Sequence, residues 1–389
     1  MTRRERFIAV CRGEKPDYVP IIGFPWAPGM AGGCQRSAYY NLLATGMPDI
    51  GGCWDPAAMD KFNLKGWQDY WGTEGPLSID FYPAKKYSPG ITGTKTIKDG
   101  FEYIEFNTGA LTKQVVDNDI TYSMPEHIIY DVRDRDSFEY YKYLCTPSDP
   151  WTDEELDEAC KKYDNRTQPL WITCGATWGQ MRNLMGPYLA STILYDDPEL
   201  VMDYMDWIRH QNRTFLFPLI KRLKPEVVAV SEDFCYNHGM FISGEHFNKF
   251  CAKTYAEIGD VVKANDIPMF LLDCDGFVEP ALPLLIPHGL NAVFPWEVKS
   301  GNDLYRVRER YPELIMLGGI EKECVNAGNE GTIKSLVLEK RDLIKKGRYF
   351  PNGDHGIQPD VTFEGMRRFM TWLHEITENP EGTFPRLYD

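Results

Sequence analysis

The ten cysteines of this 389-residue chain contain no CxxC pair. Scattered thiols of this kind argue against a disulfide framework and for a reducing, cytoplasmic setting. No GxGxxG follows an apolar run and no GxxxxGK[ST] occurs anywhere, which removes the dinucleotide and P-loop readings. No apolar run reaches 18 residues, so no segment reads as a membrane span. The basic start Thr2-Arg3-Arg4-Glu5-Arg6 lacks an apolar core before Arg12, so export is not expected. Positive charge is also short, with a net charge of −15 that disfavours nucleic acid and anionic membranes as partners. What remains is ordinary globular material, 43% hydrophobic and 25% charged.

The order of the chain follows from its apolar runs. The stretch Met269-Phe270-Leu271-Leu272-Asp273-Cys274-Asp275-Gly276 runs from four apolar residues straight into two acids, a thiol and a glycine. It reads as a buried parallel strand whose end carries chemistry. Side chains alternate along a strand, which puts Asp273 and Asp275 on one side and Cys274 on the other. Similar runs occur at 19–24, about 170–174, 226–232, 291–296, 315–319 and 348–352, with a further candidate at 77–82. Helical stretches separate most of them. Thr152 with Glu155 forms a capping box, Asp197-Pro198 opens a long helix towards Leu223, and others run over 243–265 and from Thr362 past His374. Eight such units predict a closed (β/α)8 TIM barrel in a single domain spanning 1–389. From Thr94 to Val116 the period changes to two, which predicts a β-hairpin or meander with a turn at Lys98-Asp99-Gly100, inserted at about 90–145. Residues 131–153 read as a polar linker.

In a barrel the carboxyl ends of all strands meet at one mouth. There the sequence offers Glu232, Asp233, Cys235, His238, Asp273, Cys274, Asp275, Trp296, Glu297, Glu321, Asp354 and His355. Sulfur, imidazole and carboxylate together suit a zinc site, although no fixed ligand spacing marks one. Closely spaced carboxylates can equally raise one another's pKa and give a general acid without metal. Of the tandem Glu232-Asp233, one is expected to face the mouth and the other the helix layer.

Five stretches then carry a resemblance: RRERFIAVCRGEKPDYVPI, SEDFCYNHGMFISGEHF, LLDCDG, LGGIEKE and PNGDHGIQPDVTFEGMRRF. Together they resemble the uroporphyrinogen decarboxylase superfamily over nearly the whole chain. The insertion, ending in MPEHIIYDVRDRDSFEYYKYL, looks like the branch grouped with corrinoid-dependent methyltransferases. The resemblance implies a TIM barrel with its site at the carboxyl mouth. Decarboxylases of the family hold their polyanionic substrate with arginines after the first strand, but Pro20 to Gln35 contains none. Thiol-directed zinc methyltransferases carry His-x-Cys and a later Cys where this chain has Asp273, Asp275 and His355. An oxygen-rich set suits an oxygen leaving group better than a thiolate.

The expectation is therefore an O-demethylase-type methyltransferase. It would pass a methyl group from a small methoxylated, aromatic donor to cobalamin on a corrinoid partner protein. Asp275 and His355 are the expected catalytic pair, with Glu232 or Asp233 orienting them. Zinc would be held by Asp273, Asp275 and His355, or alternatively by Cys235 and Cys274. Trp26, Trp54, Trp178, Tyr236 and Trp296 are expected to line the substrate pocket. A decarboxylase of a small carboxylic acid and a non-catalytic ligand-binding barrel are the alternatives, and a homodimer is left open.

Overall fold

The computed structural model describes residues 1–22, 36–53, 63–79, 90–116, 125–147, 149–326 and 328–388. In chain order its strands are β1 (Leu77–Ser78), β2 (Gly93–Lys98), β3 (Phe101–Phe106), β4 (Leu111–Val115), β5 (Glu126–Ile129), β6 (Leu170–Thr173), β7 (Val227–Ser231), β8 (Cys235–Tyr236), β9 (Gly239–Met240), β10 (Met269–Asp273), β11 (Ala292–Phe294), β12 (Ile315–Ile320) and β13 (Tyr349–Gly353).

Seven of these form one parallel sheet in the order β1-β6-β7-β10-β11-β12-β13. The eighth position is taken by the segment at Ile21–Ile22. Ile22 makes a single parallel bridge to Glu74, just ahead of β1, and its carbonyl accepts from the Asn352 amide on β13. The architecture is TIM-barrel-like α/β. Among the described residues the expected first strand is thus reduced to one bridge, flanked by Pro20, which has no N–H to give a ladder. Its continuation at 23–24, and that of the 77–82 candidate beyond Ile79, lie outside the described residues.

Strand alternation sorts the core. Val227, Ala229, Met269, Leu271, Ala292, Ile315, Leu317 and Phe350 fill the barrel interior. Their neighbours Val228, Val230, Phe270, Leu272, Cys274 and Val293 face the surrounding helices. Each large apolar side chain so buried contributes about 1.5–3 kcal/mol.

The expected caps are present. Thr152 and Glu155 make a reciprocal capping box, Asp197 caps the helix that begins at Pro198, and Thr362 caps Phe363–Thr377. The helix from Pro198 to Leu223 widens into a π turn at Asn212–Leu216, just ahead of Pro218.

The insertion is a four-stranded antiparallel meander, β2-β3-β4-β5, turning at Asp99-Gly100 with both residues at positive φ. The region read as a linker instead holds a helix, Arg135–Cys145, capped by Asp134. It buries Phe138 and Leu144, and Phe138 packs 6.1 Å from Trp207. Its tyrosines and charges hid a helical period that only this packing makes visible. No helix among the described residues is long and apolar enough to cross a membrane.

Candidate active site at the barrel mouth

Asp273 ends β10, level with Ser231 on β7 and with Phe294 on β11. Two residues earlier on each strand, Ala229, Leu271 and Ala292 point into the barrel, so the upper three do as well. The Ser231 hydroxyl donates to Asp273 Oδ2 at 3.1 Å. Burial, then the nearby carboxylates of Asp275 and Asp233, push the Asp273 carboxyl up to about 7. The Ser231 bond and His355 oppose this without overcoming it. A carboxyl that is half protonated near neutral pH can give or take a proton there.

Beyond the strand ends, Asp275, Glu297 and His355 each present a ligand atom within 4.8 Å of the others. They stand on the loops after β10, β11 and β13. His355 Nε2 lies 3.6 Å from Asp275 Oδ2, and that carboxylate raises the imidazole's pKa above its ordinary value despite burial. Glu297 Oε2 accepts from the Gly276 N–H at 2.9 Å and from the Ser300 hydroxyl at 3.3 Å. One imidazole and two carboxylates fit what a catalytic zinc takes from protein. Asp273 is next to this group but not within it, and the third member beside Asp275 and His355 is Glu297.

The two thiols point elsewhere. Cys274 is buried among helix-facing residues, as the alternation predicts, and its partner Cys235 is buried as well. Burial, then the adjacent Cys235, push the Cys274 thiol well above its ordinary pKa. Zinc binds thiolate, so this environment opposes the alternative ligand pair. Among the described residues neither thiol joins a group of three ligating side chains.

Glu232 is likewise turned away from the mouth and fully buried. It accepts from the Thr177 N–H and hydroxyl, both at 2.6 Å, from the Gly179 N–H and from Tyr255. Its carboxylate therefore anchors the helix Trp178–Asp196 and is not available to orient Asp275. A Cβ on Gly179 would meet the Glu232 carbonyl oxygen at 1.4 Å, so only glycine fits there. Asp233, at φ 48°, faces the mouth side and pairs with Arg182 at 3.2 Å.

The aromatic residues divide differently from expectation. Trp178 and Trp296 are buried core residues, and Trp178 stacks beneath Phe241 at 5.3 Å. Tyr236 is exposed and stacks on Phe241 at 4.7 Å. Trp26 and Trp54 lie outside the described residues. Phe294 and Trp171 are half-buried and packed on the barrel interior, Phe294 level with Asp273 and Trp171 lower, level with Val227 and Met269. The period of two in Leu170-Trp171-Ile172-Thr173 carried that signal, since Leu170 and Ile172 pack outward.

Residues 146–376 match the family profile described as uroporphyrinogen decarboxylase (URO-D). Human uroporphyrinogen decarboxylase is 25% identical over 223 residues, covering 53% of this chain and 57% of the human protein. The mouse protein of the same name is 27% identical over 147 residues, 36% of this chain and 38% of its own length. This chain therefore aligns with little more than half the length of the human protein and well under half of the mouse protein. A structure described as a methyltransferase from Methanosarcina mazei superposes with a TM-score of 0.57 at 13% identity. It covers 97% of this chain and 98% of its own, which is a likeness of fold.

Proposed function

This chain belongs to the uroporphyrinogen decarboxylase family, and on that premise we propose that it is a methyltransferase of the O-demethylase type. It takes the methyl group of a small methoxylated aromatic compound and passes it to cobalamin carried by a partner protein. The reading rests on one observation above all: Asp273, poised near neutral pH, sits beside the Asp275–Glu297–His355 group at the level of Phe294. A methyl ether is demethylated only if its oxygen can leave. A phenolate leaves as the base of an acid of pKa about 10, so a proton delivered to that oxygen lowers the barrier. Asp273 is the group that can hold such a proton, and Asp275 orients the His355 imidazole. Reduced cobalamin would supply the nucleophile, so the barrel needs none of its own. Asp275, Glu297 and His355 would hold a zinc ion, whose Lewis acidity would stabilise the departing oxygen. An aromatic contact from Phe294 would add about 0.5–1.5 kcal/mol beyond area burial.

A Co(I) corrinoid protein offered methoxylated aromatics, methanol, methylamines and glycine betaine tests this directly. Methylation of cobalt from the aromatic donors alone is expected. Transfer only from the others would overturn the aromatic pocket, and no transfer at all would overturn the methyltransferase. The second reading, decarboxylation of a small carboxylic acid with His355 and Asp273 as proton donors, is favoured by the names of the curated relatives. Release of CO2 without cobalt methylation would select it.

A further inference from the structure

The three ligating side chains of the mouth stand on separate loops, so something must fix their spacing. Two buried polar residues do so. Asp354, 3% exposed, accepts from the Val298 N–H at 3.1 Å and from the Lys322 N–H at 2.9 Å. Its own N–H donates to the Ile320 carbonyl at 2.8 Å. One carboxylate thereby joins the residue after Glu297, the start of the loop after β12, and the loop that carries His355. Asn302, 5% exposed, continues the chain of clamps. Its amide donates to the carbonyls of Gly276 and Glu297, both at 2.8 Å, and its oxygen accepts from Val278 at 3.1 Å. Asp275 is thus tied to Glu297 through Asn302, and Glu297 to His355 through Asp354.

Capping alone would account for an acid at one turn. Here the same carboxylate starts two turns, Val298–Ser300 and Lys322–Val325, that lie on neighbouring strand ends. A residue serving only one loop would not need both oxygens. We infer that Asp354 is a positioning residue for the Asp275–Glu297–His355 group, and that Asn302 supports it from the other side. The inference rests on the metal-binding reading of that group.

Asp354→Asn is the direct test, because an amide can accept from only one of the two N–H groups and turns its own N–H2 towards the other. Supporting groups of this kind typically govern metal affinity by ~10–100-fold. Competition of zinc against a chelator should therefore show an affinity lower by that factor than in the wild type. The absorption bands of the Co(II)-substituted protein should change as well, with far-UV circular dichroism preserved. Asn302→Ala is the second variant and should weaken zinc in the same direction, so the idea stands or falls even if Asp354→Asn does not fold. Unchanged affinity and unchanged Co(II) bands in a folded variant overturn the positioning role. Failure of the wild type to bind zinc or Co(II) overturns the metal reading beneath it.

Discussion

The two ends of the barrel treat the same residue types in opposite ways. At the amino end, acids meet guanidinium groups. Glu226 is bonded by Arg4 at 2.6 Å, by Arg166 at 2.8 Å and by the Leu170 N–H at 2.7 Å. Burial alone would raise its pKa, but those bonds hold it below the ordinary value. Asp17 is held far below its ordinary value by Arg6, which bonds it at 2.7 Å and reaches Glu74 at 3.1 Å. Glu74 is the exception, since its burial outweighs Arg6 and raises it. At the carboxyl mouth Asp273 and Asp354 are pushed up to about 7 and about 6, burial being the first cause for each. No arginine bonds either of them among the described residues. The amino end uses its acids to hold strands together; at the mouth Asp273 is left able to exchange a proton. Perturbed carboxyls gathered at one end of a barrel are the pattern of a working site.

Glu226→Gln should give the largest effect of any single change that probes this division. It leaves the Arg166 guanidinium buried without its charge partner, and breaking such a pair costs about 3–5 kcal/mol. The midpoint of denaturant unfolding should fall accordingly, while kcat/KM of the folded enzyme stays near wild type. A large loss of activity with unchanged stability would mean that the amino end takes part in the chemistry.

Asp275→Asn and His355→Ala should show the converse. Each should lower kcat/KM on the true methyl donor by ~10²-fold or more, about 2.7 kcal/mol, with little change in the unfolding midpoint. Wild-type kcat/KM in either variant would remove the pair from the mechanism.

The sequence made much of this division legible, though unevenly. The run Met269–Asp273 and its neighbours announced the barrel, because buried parallel strands are continuous apolar runs that end abruptly in polar residues. The same alternation placed Asp273 inward and Cys274 outward, and separated Glu232 from Asp233. It could not choose among the acids at the mouth. Glu297 follows Trp296, which sits at φ 60°, so the loop turns Glu297 towards Gly276 in a way no periodicity predicts. Trp178 and Trp296 looked like pocket residues because they sit near strand ends, but loop and helix packing covers both. The clamps Asp354 and Asn302 act across loops that are distant in sequence, so no local pattern announces them.

The smallest expected effect is also the one that best separates the two ends, because it concerns a cost and not a loss. Asp273 has a folded-state pKa of about 7, above that of an unfolded aspartate. The native state therefore binds a proton more tightly than the unfolded chain between pH ~4 and ~7. Stability from this residue is fully present at the acidic side of that window and declines as pH rises through it. Asp273→Asn abolishes the decline, since an amide does not titrate. The variant should gain on the wild type as pH increases from 5 to 8, and the difference should level off above that. Solvent at the mouth screens the charge, so the gain should reach only about 1–2 kcal/mol, a Tm shift of a few degrees. Asp17 has the opposite sign: its lowered pKa adds stability at neutral pH that is lost as acid protonates it. A gap between Asp273→Asn and wild type that stays constant from pH 5 to 8 would show that Asp273 carries an ordinary carboxylate and is not the source of the proton.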